Sequence, residues 1–201
     1  MAFAVAFCLA TAVLAIKGTD TNALVAALRV TARWSFLLFW VAYAGTAIGT
    51  LLGAPFETLA GRGRELGLAY AAAHLIHLGL VVWLFEISRR PPLSGESFAF
   101  FSLAMVWTYL LAIFSFGRLS KAMGSRGWHI LRIAGLNYIL FAFGVDFVGP
   151  TVHGITHHGF RYLVEYAPFA TMSVIAPLIV LAAAAHRQLR MSYGMLGSAA
   201  N

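Results

Sequence analysis

Six long stretches of apolar residues, each closed by a short break rich in Gly, Pro or charge, limit what this chain can fold into. They cover about residues 2–16, 34–52, 65–85, 97–116, 128–148 and 163–185. All but the first approach the ~20 residues that a helix needs to cross ~30 Å of hydrocarbon. The breaks GAPFETLAGRGR, SRRPPLSG, GRLSKAMGSRG and VGPTVHGITHHG have the composition of loops. In VGPTVHGITHHG, Gly149, Pro150, Gly154 and Gly159 argue against a regular helix. Of the 201 residues 61% are hydrophobic and 10% charged, against about 25% charged in a soluble domain. So apolar a chain has no polar exterior to offer water. The expected fold class is all-α, an integral membrane bundle of about six transmembrane helices forming one domain over residues 1–201.

The first run, AFAVAFCLATAVLAI, is short, but no basic residue precedes it as a signal peptide would require, so it is expected to be a retained helix. An amphipathic lead, NALVAALRVTAR, precedes the second span, and Pro168 and Pro177 lie inside the sixth. Neighbouring helices can satisfy the carbonyls those prolines free. The net charge of +7 sits in pairs and triplets between the apolar runs. That pattern sets orientation and meets anionic lipid head groups; no nucleic-acid partner is expected.

Six spans put Arg62, Arg64, Arg118, Lys121, Arg126, Arg132, Arg187 and Arg190 on one side, and Lys17, Arg29, Arg33, Arg89, Arg90 and Arg161 on the other. This bias favours both termini in the cytoplasm. Trp34, Trp83 and Trp128 lie near span ends, where interfacial aromatics gather. The single cysteine, Cys8, reads as packing. No P-loop, zinc-finger spacing or dinucleotide fingerprint occurs.

Ionisable groups inside a span are costly, so each is a candidate site. His74 and His77 of the third span are three apart and share a helical face. Their ring nitrogens need partners, which a haem iron, a metal, a carboxylate or a backbone carbonyl could supply. Axial ligation of b-type haem is one outcome, and an interhelical hydrogen bond without cofactor is the other.

The fifth span carries His129, Arg132, Asn137 and Asp146. Arg132 can snorkel to the interface or pair with a haem propionate. His153, His157 and His158 cluster in the following break, with Glu86 and Glu165 near the same side. The four-residue spacing of His153 and His157 would suit a metal were the segment helical.

The segment RELGLAYAAAHLIHLGL, Arg64 to Leu80, resembles the third-helix signature of the ferric reductase-like transmembrane domain family. It is most similar to the haem-binding membrane subunits of bacterial methionine sulfoxide reductase systems. That signature has an Arg, then Leu-Gly-Leu, an aromatic turn and a haem-binding His ten residues after the glycine, an interval matched by Gly67 and His77. NALVAALRVTARWSFLLFWVAYAG resembles the family's second helix, FGRLSKAMGSRGWHILRIAGLNYILFAF its fifth, and EYAPF the start of its last. The likeness covers about residues 20–190. Two further family histidines, thirteen apart on the fifth helix, fall here at Arg132 and Val145.

The resemblance implies a membrane b-type cytochrome that passes electrons through the bilayer to or from a partner protein. His77 and His74 would ligate haem b from the third helix, with His129, one turn before Arg132, opposite them. His153 could substitute beyond Val145. Arg64, Arg126 and Arg132 would face the propionates. Electrons would come from a separate reductase, a larger membrane complex or quinol. The alternative is a haem-free structural or assembly subunit of an energy-transducing complex. The small-residue runs 71–73 and 182–185 would there allow close helix approach. A transporter is disfavoured by the absence of an inverted repeat.

Overall fold

A computed structural model describes residues 1–88, 93–116, 119–158 and 160–199, and their side chains except at 119–120, 157–158, 161 and 193–199. Arg89, Arg90 and Arg118, which entered the charge count, lie outside the described residues, as does the side chain of Arg161.

The chain is all-α: α1 (Ala2–Lys17), α2 (Thr21–Leu52), α3 (Glu57–Gly61), α4 (Gly63–Ile87), α5 (Gly95–Phe114), α6 (Leu119–His153) and α7 (Phe160–Ala199). Among the described residues five helices, α2, α4, α5, α6 and α7, are long and apolar enough to cross a membrane. The first expected span, α1, has only 16 residues. The protein is accordingly an integral membrane helical bundle.

Two boundaries differ from the sequence reading. The lead before the second span is no separate element: Asp20 caps Ala23 N–H at 2.8 Å, and α2 then runs unbroken for 32 residues. That is ~48 Å at 1.5 Å per residue, longer than the hydrocarbon. Likewise α6 continues through Pro150 to His153, and a π-helical turn over Gly154–His158 follows. The proline removes one intrahelical bond, to the Asp146 carbonyl, a loss that membrane helices tolerate where neighbours or a local π turn satisfy the freed group, so helix persists where a loop was expected.

α2 is the central helix. It packs against α1, α3, α4, α6 and α7, whereas α5 packs mainly on α6 and more lightly on α4. Phe36, fully buried, meets the rings of Phe143, Phe147 and Phe169 edge-on, with centroids at 5.1, 5.0 and 6.1 Å. Trp40 Nε1–H donates to the Met172 carbonyl at 2.9 Å. These pairings make α2 and α6 antiparallel, and α2 and α7 parallel.

Close approach depends on glycine at two places. A Cβ at Gly49 would lie 3.0 Å from the Phe56 carbonyl oxygen, where the α2–α3 return folds back. One at Gly135 would lie 2.8 Å from the Trp107 ring, where α5 crosses α6. Outward faces carry Leu75, Val82, Val106, Phe141, Leu178 and Leu181, the apolar surface that lipid tails would meet.

Phe36→Ala should open a cavity where three helices meet and cost about 3–5 kcal/mol. Leu178→Ala, on the outer face, should change stability by no more than ~0.5 kcal/mol. Thermal unfolding of the two variants in mild detergent checks the contrast.

Candidate functional site

α2 and α4 are joined through the short α3 and run antiparallel. Thr31 is bonded to His77, and Phe39 packs on Tyr70 with centroids 5.3 Å apart. Ser35 and His74 therefore share a level between those two pairs. His74 lies near the midpoint of α4. The two imidazoles stack, with centroids 5.2 Å apart and planes 17° from parallel. Tyr70 flanks His74 at 5.5 Å, and Tyr109 of α5 stands 6.5 Å from it. Two hydrogen bonds hold α5 against this face: the hydroxyls of Tyr70 and Thr108 are 3.0 Å apart, and Tyr109 donates to the Ala71 carbonyl at 3.4 Å. The site is thus a polar and aromatic ladder inside a bundle of otherwise apolar helices.

The network orients the ring of His77. Thr31 Oγ1 lies 3.0 Å from the Ala27 carbonyl and 3.1 Å from that of Leu28. The same oxygen is hydrogen-bonded to His77 Nδ1 at 3.2 Å. His74 differs: its Nδ1 and the Oγ of Ser35 are buried, and neither has a hydrogen-bond partner among the described residues. An unsatisfied buried group of this kind costs roughly 1–3 kcal/mol.

The other expected site residues lie elsewhere. Arg64 is exposed in the first turn of α4, ten residues or ~15 Å before His74. Arg126, His129 and Arg132 are exposed on α6, beyond a kink at Gly124 where φ is 77°. The ring of Phe143 meets that of Tyr70 at 6.1 Å, which ties α6 to α4 in parallel register. His129 precedes Phe143 by fourteen residues, ~21 Å, in the direction away from His74 and His77. The fold therefore does not bring His129 opposite the pair.

His153 is exposed at the far end of α6, ten residues past Phe143 and nearer the level of His77. The side chain of His157 lies outside the described residues. Among the described residues no three His, Cys, Asp or Glu side chains converge as a metal site. Asn137, expected to bond between helices, accepts from Tyr43 OH at 2.9 Å.

A second polar site escaped the sequence reading, which counted Arg33 among loop charges. Arg33 lies inside α2 and pairs with Glu165 of α7 at 3.7 Å. The available signal was opposite charges within spans, namely Arg33, Asp146 and Glu165. Compared with known proteins, the chain matches no family model, no curated protein and no solved structure.

Thr31→Val keeps the shape but removes the hydroxyl bonded to His77 Nδ1. It should destabilise the protein by ~1–2 kcal/mol. Thermal unfolding in detergent, with Thr31→Ser as the variant that keeps the hydroxyl, checks this.

Proposed function

We propose that this chain is a membrane electron carrier of ferric reductase-like type, holding a b-type haem on the His74–His77 face of α4. The observation that carries the reading is the stacked pair His74 and His77 inside the bundle, with the His77 ring oriented by the Thr31–Nδ1 bond. The residues fit one axial side of a haem: two stacked imidazoles on one helix face, backed by Tyr70 and Tyr109. A bound haem would supply a one-electron centre in the bilayer.

The protein's own part is to orient the His77 ring through Thr31 and to exclude water with the aromatic residues of α2, α4 and α6. Arg64, Arg126 and Arg132 all belong to the helix starts at one end of the bundle, where they can meet propionates or lipid phosphates. The chain carries no flavin or nicotinamide fingerprint, so its electrons come from a separate reductase or a larger membrane complex. The basic end of the bundle is assigned to the cytoplasm of a bacterial inner membrane. The pairing of Arg33 inside α2 removes one charge from the opposite side of that count.

A second reading has its own support. His129 is far from the pair, and His77 already has a partner in Thr31. The chain would then be a haem-free structural or assembly subunit of a larger membrane complex, with the histidines serving as helix–helix contacts.

The visible spectrum of protein purified in mild detergent, oxidised and dithionite-reduced, separates the two. A Soret band and a reduced b-type α-band are expected, both lost in His77→Ala and retained in His129→Ala. Absence of a Soret band when haem is supplied during expression would exclude the cytochrome and leave the assembly subunit.

A further inference from the structure

One level of the α2–α4 contact is left unmatched by its own side chains. Among the described residues the buried hydroxyls outside the tyrosines are Thr31, Ser35, Thr108 and Ser173. Three of them return a hydrogen to their own helix: Thr31 to the Ala27 carbonyl at 3.0 Å, Thr108 to that of Ala104 at 2.9 Å and Ser173 to that of Ala170 at 2.7 Å. This is the ordinary refuge of a hydroxyl in an apolar helix. Ser35 does not take it. Its side chain is fully buried, yet its Oγ has no hydrogen-bond partner among the described residues.

Across the contact His74 has the same deficit. Its Nδ1 is buried and also without a partner among the described residues. The ring is held from turning away, because it lies between His77, with centroids 5.2 Å apart, and Tyr70, at 5.5 Å. Both neighbours are already engaged: the Tyr70 hydroxyl is 3.0 Å from that of Thr108, and His77 Nδ1 is bonded to Thr31 at 3.2 Å.

Register sets Ser35 and His74 against each other. One turn towards the start of α2, Thr31 meets His77; one turn towards its end, Phe39 packs on Tyr70 with centroids 5.3 Å apart. The level between these contacts holds Ser35 from one helix and His74 from the other. Its flanks are covered. Trp34, next to Ser35, donates through Nε1 to the Ala2 carbonyl at 3.3 Å, which lays the start of α1 alongside, and Tyr109 of α5 stands 6.5 Å from the His74 ring.

Each unmade bond of this kind leaves its desolvation cost uncompensated. Two at one level, with no direct bond between them, call for a small shared partner that can both donate and accept. The Thr31 carbonyl, which accepts the Ser35 N–H along the helix, keeps a second lone pair at the same level. Three polar groups are the usual company of a buried water.

We propose that Ser35 Oγ, His74 Nδ1 and the Thr31 carbonyl hold one water molecule within the bundle, joining α2 to α4 one turn from the Thr31–His77 bond. Water donates to a bare Nδ1 and accepts from Nδ1–H, so the bridge forms with either neutral tautomer of His74. The Ser35 hydroxyl adjusts by rotating about its own bond. The bridge stands whether or not haem binds on this face, because it engages Nδ1 and leaves Nε2 to a ligand.

The full chain, with 15N-labelled histidine, is placed in liposomes and studied by magic-angle-spinning NMR. A correlation from water protons to His74 Nδ1 is expected, several-fold stronger than at His77 Nδ1, whose partner is the Thr31 hydroxyl. Ser35→Ala gives a second readout. In a dry contact it deletes an unsatisfied hydroxyl, and the protein melts at the same temperature or higher. With the bridge in place it takes away one of the water's partners, weakens the water correlation at His74 and should lower Tm in mild detergent by ~2–4 °C. A water correlation no stronger at His74 than at His77, a correlation to the Ser35 hydroxyl in place of water, or a Ser35→Ala variant as stable as the parent would each overturn the proposal.

Discussion

The structure depends on α2 being surrounded. Between hydrocarbon and protein there is little hydrophobic gain for helix association, because lipid tails are as apolar as leucine. Packing and interhelical hydrogen bonds must hold the bundle instead. Many such interactions have one end on α2: the Phe36 ring cluster, the Trp40–Met172 bond, the Thr31–His77 bond and the Arg33–Glu165 ion pair. α5 lacks this anchor. Its attachment rests on ring contacts with α6 and on the Tyr70–Thr108 and Tyr109–Ala71 bonds to α4.

One central helix also explains why the two polar sites lie at the same depth. Thr31 and Ser35, four apart, share the face towards α4 and its histidines. Arg33, midway between them in sequence, emerges on the opposite face towards α6 and α7. A rigid helix thus joins an imidazole site and a charge cluster that share no side chain. Moving one axially without the other would require α2 itself to stretch, and sliding the whole helix would draw Phe36 out of its contacts with three other rings. This coupling is geometric, and it follows from the helical repeat alone.

The histidine face was legible because its signal is local. A three-residue spacing within an apolar run places both rings on one side of a helix wherever that helix goes. The five long spans were legible for a similar reason, since length and apolarity are counted along the chain. His129 shows where that logic stops. Its spacing from Arg132 resembles a ligand shifted by one turn, yet parallel direction does not set register. The Tyr70–Phe143 contact does, and it leaves His129 some 21 Å or more from the pair. Arg33 was misplaced for a related reason: an arginine in an amphipathic lead reads as surface charge until Asp20 is seen to cap a helix that continues unbroken. Pro150 was read as a helix breaker, yet it lies inside α6, because a membrane helix tolerates the loss of one backbone bond where neighbours or a local π turn compensate it.

The sequence alone determined the solvent, the helical class and the apolar lengths, because these depend on composition and on periodicities that act within a turn or two. It also determined that His74 and His77 share a face. Only the tertiary structure decided what stands across from that face. That Thr31 bonds His77, that Ser35 Oγ and His74 Nδ1 find no partner among the described residues, and that Arg33 meets Glu165 all follow from register between helices. Register is set by ring packing and close glycine contacts between residues dozens of positions apart, and no local pattern in the chain encodes them.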